Sequence, residues 1–253
     1  MTQKLALVTG GRHRVGAAIS ARLAREGYAL AIHKRSPGEA DPVLADALAE
    51  TGAISHRFAA DLADPAAVDA LIPAVIGKFG RAPDLLVNNA ALFAEGDWGD
   101  LSAAAITEMM QVNLSAPVML AKALVAAGGD GRPAIVNIVD QRVVHPVPDQ
   151  IAYSLSKSAL WQATQVLAVA FGGRARVNAV APGLTMATGD YSAAQVERLA
   201  RRMPLGALPT PAQIADAVVY LARAEAVTGQ TIFVDGGAHL APLGRDFVAL
   251  ERD

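Results

Sequence analysis

The stretch Thr9-Gly10-Gly11-Arg12-His13-Arg14-Val15-Gly16 joins an apolar run to a helical pattern. The run before it, Lys4–Val8, has the length of a buried strand, and after it Val15, Ile19 and Leu23 recur four residues apart, as on one face of a helix. Glycines at such a junction permit a tight turn and let the backbone approach a phosphate, which the free N–H groups of the helix then face. The stretch therefore predicts a nucleotide-binding turn, the alternative being a tight turn that binds nothing.

Apolar runs of strand length alternate with longer helical patterns along the whole chain. Strands are predicted at Lys4–Val8, Ala29–His33, Ser55–Ala59, Leu85–Val87, Ala134–Val139, Arg176–Val180 and Thr231–Val234. A first helix ends at Gly27, and further helices are predicted at Asp41–Glu50, Pro65–Phe79, Ser102–Ala127, Ile151–Phe171, Ser192–Arg202 and Pro211–Ala222. The alternation predicts an α/β fold with a Rossmann-type, doubly wound parallel sheet covered on both faces. Because no linker or repeat interrupts its 253 residues, we expect a single domain over 1–253.

Charge balance and residue usage exclude several classes of site and partner. The net charge is −2, from 22 basic and 24 acidic residues, without the basic excess that is typical of nucleic-acid binders. The absence of cysteine excludes disulfides, thiolate metal sites and a cysteine nucleophile, and no metal site is predicted. No run approaches the ~18 uncharged apolar residues of a membrane span, and no signal-peptide pattern begins the chain. We expect a cytoplasmic protein with a small-molecule substrate and no membrane or nucleic-acid partner.

The end of the second predicted strand indicates which dinucleotide binds. Sites for NAD carry an acidic residue there, which accepts a hydrogen bond from the ribose 2′-hydroxyl. This chain has His33, Lys34, Arg35 and Ser36 instead. Such a cluster would bind a 2′-phosphate, which a carboxylate would repel. The segment therefore favours NADPH/NADP+ over NAD, and the alternative is a solvated basic loop.

Tyr153 and Lys157 lie four residues apart at the start of a predicted helix, and therefore on one face of it. An ammonium close to a phenol favours the phenolate, so we expect Lys157 to lower the pKa of Tyr153 toward the working pH. Tyr153 would then act as a general acid in the reduction of a carbonyl or an imine. By itself, the pattern Tyr-x-x-x-Lys is more often structural than catalytic. It supports a catalytic role only together with the other motifs of the chain.

In that context the chain resembles the short-chain dehydrogenases/reductases over nearly its full length. The matching features are the Thr9–Gly16 turn, Asp61, Asn88-Asn89-Ala90, Asn113, Tyr153 with Lys157, Pro182-Gly183, and Asp235-Gly236-Gly237. The resemblance implies a Rossmann fold with parallel strands, hydride transfer from a nicotinamide and a homotetramer.

The same resemblance assigns further roles. It implies that Lys157 also binds the nicotinamide ribose, that Asn113 holds a water in a proton relay, and that Asp61 contacts adenine. The other predicted cofactor contacts are Gly10, Arg14, Val15, Leu62, Asn89, Ala90, Tyr153, Pro182 and Gly183. Two alternatives stay open, because Asn113 is also suited to hydrogen bonding within a helix and Asp61 to capping one.

Three positions depart from the general family pattern. Asp140 stands where the family usually has a catalytic serine, Arg14 lies within the glycine turn, and Ala91 replaces a usual glycine after Asn89-Ala90. Asp140 together with Arg14 resembles the pteridine reductases and the bacterial dihydromonapterin reductases. Phe93 falls where those enzymes place a ring that stacks on the pterin.

A pteridine substrate is consistent with the chemistry of these residues. An ionised Asp140 only accepts hydrogen bonds, which suits a substrate with N–H groups. We expect Asp140 and Tyr153 to form one proton-delivery unit, and Arg14 to contact both the pyrophosphate and the pterin edge. The predicted catalytic residues are thus Asp140, Tyr153, Lys157 and Asn113, and the predicted substrate contacts are Arg14, Phe93, Asp140 and Tyr153.

Two other functions remain open from the sequence. One is an NADPH-dependent ketone or aldehyde reductase of the same family, in which Asp140 is only a loop residue. The other is a cofactor-binding regulator without turnover, which the joint presence of Tyr153, Lys157 and Asn113 disfavours. The loops Glu95–Asp100 and Pro182–Tyr191 are candidates for a substrate lid. The apolar residues of the tail, Leu240, Leu243, Phe247 and Leu250, are expected to pack on a neighbouring subunit or on their own domain.

Overall fold

The computed structural model of the chain describes residues 3–35, 38–93, 98–129, 131–187, 191–241 and 243–251. Its sheet consists of β1 (Leu5–Val8), β2 (Ala29–Lys34), β3 (Ser55–Ala59), β4 (Leu85–Asn88), β5 (Ala134–Ile138), β6 (Arg176–Pro182) and β7 (Thr231–Val234). All neighbouring strands are parallel, in the order β3-β2-β1-β4-β5-β6-β7. The predicted fold class is confirmed, and each predicted strand is present with ends that differ by at most two residues.

Helices cover both faces of the sheet. They are α1 (Arg14–Arg25), α2 (Pro42–Thr51), α3 (Pro65–Phe79), α4 (Ala103–Met110), α5 (Ala116–Ala127), α6 (Ile151–Phe171), α7 (Ala193–Arg202) and α8 (Pro211–Arg223). One core cluster lies between the sheet and α1, α2 and α8, and a second lies between the sheet and α3, α5 and α6. Because the central strands are buried on both faces, β1 is apolar throughout, and β4 and β5 are apolar except for Asn88 and Asn137, which hydrogen-bond to each other.

The strand order fixes where a ligand can bind. From β1 the chain moves outward through β2 to β3, then returns to place β4 on the other side of β1. A crevice opens where the order reverses, beyond the carboxyl ends of β1 and β4. The Thr9–Gly16 turn follows β1 and Asn89-Ala90 follows β4, so both predicted segments lie at this crevice.

The stretch predicted as one helix at Ser102–Ala127 is divided in two. A single π-helical turn, Gln111–Ser115, separates α4 from α5. By length and hydropathy alone the stretch Ala103–Ala127 passes as a membrane span, with 44% of its most apolar window buried inside the protein. Its Leu120 and Leu124 lie in the second core cluster, as expected for a core helix.

The described part of the tail packs on its own domain, one of the two alternatives left open by the sequence. Phe247 is buried against Leu199 and Met203, with Leu243 and Leu250 packed around it. Leu240, by contrast, is 69% exposed.

Candidate active site

The glycine turn after β1 has no room for other side chains at its critical positions. A Cβ atom on Gly16 would lie 2.1 Å from the carbonyl oxygen of Gly10 and 2.6 Å from the side-chain nitrogen of Asn89. Gly10 itself has a φ of 59°, in the left-handed region that favours glycine. The turn therefore brings bare backbone to the crevice, as phosphate binding requires.

Arg14 has a backbone conformation that residues other than glycine rarely adopt. Its φ is 52°, which places a non-glycine residue in the left-handed region. Its backbone N–H donates to Asp41 Oδ2, and its guanidinium donates to the carbonyl of Met186 at 3.2 Å. Strain of this kind clusters at functional sites and persists only where the surrounding contacts fix it.

Asn89 and Ala90 tie the turn to the end of β4. The amide of Asn89 donates to the carbonyls of Thr9 at 2.9 Å and of Gly10 at 3.2 Å. The hydroxyl of Thr9 accepts the backbone N–H groups of Asn89 at 2.9 Å and of Ala90 at 3.0 Å. These four hydrogen bonds hold the two segments together across the crevice, where the sequence predicted both to lie.

His33 has a different position from the basic residues that follow it. Its buried ring accepts the N–H of Gly10 at Nδ1, at 3.1 Å, and its Nε2 lies 3.0 Å from the carbonyl of Ala60. Burial lowers the pKa of His33, so the ring is neutral and orients the turn. Lys34 and Arg35 are left to supply positive charge, and Ser36 lies outside the described residues.

A cavity of about 720 Å³ opens over the glycine turn. Among the predicted site residues its wall includes Gly10, Arg14, Val15, His33, Lys34, Arg35, Asp61, Leu62, Asn89, Ala90 and Tyr153. The sequence reasoning missed Arg12, His13, Glu108 and Val112, which also line it. Pro182 and Gly183 lie at the end of β6, outside this wall. Bare backbone at one end and two basic side chains at the other fit a dinucleotide with a 2′-phosphate.

Asp61 and Asn113 each make local hydrogen bonds. Asp61 Oδ1 accepts the N–H of Ala63 at 3.0 Å in the turn before α3, while Asp64 caps that helix. The amide of Asn113 donates to the carbonyl of Leu92 and to the hydroxyl of Ser156, both at 3.0 Å, and accepts the N–H of Leu92 at 2.8 Å. Asn113 therefore fixes the segment that precedes Phe93, and its role in a proton relay stays a prediction.

Tyr153 and Asp140 are in direct contact. The Tyr153 hydroxyl donates to Asp140 Oδ2 at 3.1 Å, and the phenol is only 9% exposed. Burial and the neighbouring carboxylate raise the pKa of Tyr153 well above its ordinary value, with Arg142 opposing them. Both effects disfavour the phenolate, so the side chain keeps its proton at neutral pH.

The expectation that Lys157 lowers the pKa of Tyr153 is wrong for this arrangement. The Lys157 ammonium lies 5.8 Å from the centre of the phenol ring and donates to the carbonyl of Ile138 at 2.8 Å. Burial lowers the pKa of Lys157 itself to about 8. The spacing in sequence places the two residues on one helix face, but Asp140 and burial determine the ionisation of the phenol.

Phe93 lies beside Tyr153 with one side free. The two rings meet edge to face, with their centres 4.9 Å apart and their planes at 74°. Phe93 is 55% exposed, an unusual state for a large aromatic side chain in the interior of a site. The ring is thus held by the phenol and remains accessible to a flat ligand.

Arg142 is a residue of this site that sequence reasoning missed. Its Nε donates to Asp140 Oδ1 at 3.0 Å, and its backbone N–H donates to the same oxygen at 2.9 Å. The available signal was a basic residue two positions after Asp140, a spacing that by itself does not predict which residues Arg142 contacts.

Comparisons with known proteins agree with this geometry. A family model described as "Enoyl-(Acyl carrier protein) reductase" matches residues 11–239. D-threitol dehydrogenase of Mycolicibacterium smegmatis is 34% identical over 92% of this chain and 92% of its own length. The structure of FolM alternative dihydrofolate reductase 1 from Brucella suis, in complex with NADP, has a TM-score of 0.84 at 38% identity, covering 94% of this chain and 96% of that one. A short-chain dehydrogenase/reductase from Serratia marcescens has a TM-score of 0.82 at 31% identity, covering 92% and 97%. The chain belongs to the short-chain dehydrogenase/reductase family.

Proposed function

We propose that the protein is an NADPH-dependent reductase of dihydropteridines in which Tyr153 delivers the proton. The observation that carries this proposal is the hydrogen bond from the Tyr153 hydroxyl to Asp140 Oδ2, at 3.1 Å. A serine at position 140 would offer a substrate both a donor and an acceptor, whereas an ionised carboxylate offers acceptors alone. The site is therefore suited to a substrate that presents N–H groups.

The cofactor is NADPH, bound over the glycine turn. Gly10 and Gly16 leave the backbone bare for the pyrophosphate. Lys34 and Arg35, on the cavity wall, provide the positive charge that a 2′-phosphate requires. When bound, NADPH supplies the hydride that reduces a C=N bond of the substrate ring at carbon.

The protein's own residues supply and direct the proton for the ring nitrogen. Because the pKa of Tyr153 is raised, the phenol is protonated at neutral pH and acts as a donor. Asp140 holds the hydroxyl in place and accepts hydrogen bonds from the substrate. Phe93, whose ring meets the phenol edge to face and is 55% exposed, provides an aromatic surface for a flat ring.

Two of the similar solved structures support this substrate class. Two FolM alternative dihydrofolate reductase structures, from Brucella suis and Brucella canis, are both 38% identical to this chain. Reduction of a dihydrofolate is the reduction of a pteridine ring. D-threitol dehydrogenase, at 34% identity, acts on a polyol, so a ketone or alcohol substrate is the natural competitor.

The test is oxidation of NADPH against a panel of dihydropterins, dihydrofolate and simple ketones. We expect turnover with the dihydropterins, and its loss in Asp140→Ser, because serine lacks the acceptor-only carboxylate that contacts the Tyr153 hydroxyl and suits a substrate with N–H groups. The matched control is Asp216→Ser, at an exposed carboxylate that pairs with Arg22 away from the site. Turnover of ketones alone, unaffected by Asp140→Ser, would overturn the pteridine proposal and leave the reductase chemistry of Tyr153 in place.

A cytoplasmic homotetramer is the assembly proposed for this enzyme. The long helix α6 exposes Leu155, Val166 and Val169, and apolar residues exposed on one element are typical of a subunit interface. Light scattering on the purified protein should give four times the 26.1 kDa mass of the chain. A monomer at micromolar concentration would contradict this assembly.

A further inference from the structure

Arg142 lies behind the Asp140–Tyr153 pair and is almost completely buried. Its guanidinium uses all three nitrogens: Nε donates to Asp140 at 3.0 Å, Nη1 donates to Gln150 Oε1 at 2.7 Å, and Nη2 forms an ion pair with Asp246 Oδ2 at 2.7 Å. The guanidinium carbon also lies 5.3 Å from the centre of the Tyr153 ring. A planar fork with this many fixed partners can occupy only one orientation.

The partners of Arg142 come from separate parts of the chain. Asp140 follows β5, and Gln150 precedes α6 with a left-handed φ of 49°. Asp246 belongs to the C-terminal segment 243–251, where its side chain caps a short helical turn by accepting the N–H of Val248. That segment is anchored in turn by Gln195, whose amide donates to the carbonyls of Val248 and Leu250.

The charges around the pair are balanced through Arg142. Asp140 and Asp246 are the carboxylates that contact it, and Lys157 is the second buried cation near the phenol. The exposed Arg245–Asp149 pair lies next along the segment. Burial lowers the pKa of Arg142, but Asp140 and Asp246 outweigh it and raise the pKa, so Arg142 stays charged; Arg142 in turn opposes the effect of Asp140 on the pKa of Tyr153.

Resting on the proton-donor role proposed for Tyr153, we propose that Arg142 is a positioning residue that holds the Asp140 carboxylate in line with the phenol. Through Asp246 it makes the C-terminal segment 243–251 a working part of the active site. Without Arg142, one oxygen of Asp140 loses a charged donor, and the strained Gln150 at the start of α6 loses its side-chain partner. Loss of either contact displaces the Tyr153 hydroxyl.

The experiment compares Arg142→Met with Arg176→Met. Arg176 is a matched control because it is equally buried, at 5% against 6% exposure. Its guanidinium donates only to main-chain carbonyls, among them those of Leu221 and Ala222, so its loss destabilises the fold without touching the site. We expect Arg142→Met to lower kcat by between about 10- and 100-fold with unchanged NADPH affinity, and Arg176→Met to lower only the melting temperature.

A second readout does not depend on the substrate. In crystal structures of Arg142→Met and Asp246→Asn, the hydrogen bond from the Tyr153 hydroxyl to Asp140 Oδ2, 3.1 Å long in the wild type, should be broken, because each variant removes a fixed partner from the Arg142 network. The same hydrogen bond should be kept in Arg176→Met. Arg142→Lys keeps the charge without the planar fork, so it should restore kcat only in part.

These outcomes separate the inference from the proposed function. A folded Arg142→Met protein with wild-type kcat, or with the Tyr153–Asp140 hydrogen bond intact, would overturn the role of Arg142. If Arg142→Met does not fold, the state of the same hydrogen bond in Asp246→Asn decides in its place. If the wild type reduces no dihydropterin, the proposed function fails, while the Tyr153–Asp140 hydrogen bond in the variants still decides whether Arg142 positions that carboxylate.

Discussion

Substitutions of Arg14 can separate two effects: the free-energy cost of its left-handed backbone conformation, and the contribution of its guanidinium to activity. At a φ of 52°, any residue with a Cβ atom is strained, and glycine is not. The informative comparison is Arg14→Gly with Arg14→Ala. Both variants lose the guanidinium and its hydrogen bond to Met186, and they differ only in the Cβ atom.

The size of the difference follows from two opposing effects. A side chain in the left-handed region costs about 1–2 kcal/mol, whereas the greater freedom of glycine in the unfolded chain costs about 0.5–1 kcal/mol. We therefore expect Arg14→Gly to be more stable than Arg14→Ala by about 0.5–1 kcal/mol. For a chain of this size that corresponds to a melting temperature higher by about 1–4 °C.

Urea and thermal denaturation at one protein concentration measure this difference, since assembly makes the transition depend on concentration. Turnover of a dihydropterin should fall to a similar extent in both variants, because both lack the guanidinium. If Arg14→Ala proved as stable as Arg14→Gly or more so, position 14 would not be left-handed in solution. If the two variants differed in activity, the backbone and not the side chain would carry the function of this position.

Three further predictions follow from the site. Tyr153→Phe should lower kcat by about 10²- to 10⁴-fold while NADPH still binds in a fluorescence titration, and substantial residual turnover would exclude the phenol as the proton donor. Replacing Lys34 and Arg35 together by alanine should weaken NADPH binding by about tenfold or more and NADH binding little, and equal losses would mean that these residues do not contact the 2′-phosphate. Because the pKa of His33 is lowered in the folded protein, the unfolded chain takes up a proton first as the pH falls below 6.5, so stability should decrease there. Urea titrations across this range should show a weaker dependence in His33→Gln, and an identical dependence would exclude His33 as the buried neutral group.

The fold could be predicted because its determinants are local. Strands buried on both faces are mainly apolar, so β1 and most of β4 and β5 are recognisable in the sequence as short apolar runs. The glycines of the Thr9–Gly16 turn could also be recognised in the sequence. Gly16 lies so close to the backbone of Gly10 that no side chain fits there, so the position requires glycine. Patterns of this kind depend on neighbours along the chain and need no knowledge of distant contacts.

Contacts between distant segments set the properties that the sequence did not predict. The spacing in sequence placed Lys157 on the same helix face as Tyr153. In the structure, however, the Lys157 ammonium donates to the Ile138 carbonyl, and burial lowers the pKa of Lys157. The basic run at the end of β2 is divided in the structure, because His33 turns inward to Gly10 while Lys34 and Arg35 line the cavity. In each case the residue type was informative, and the direction of the side chain decided its role.

The departure at position 140 explains why the site needs Arg142. A buried carboxylate beside a phenol is costly unless it is paired and hydrogen-bonded. Lys157 donates to the Ile138 carbonyl, and the direct ion-pair partner of Asp140 among the described residues is Arg142. Burying that guanidinium creates in turn a need for further acceptors, which Asp246 and Gln150 provide. One acidic residue at the substrate-facing end thus requires a chain of partners that ends in the C-terminal segment, and a short-chain reductase with serine at this position has no such requirement.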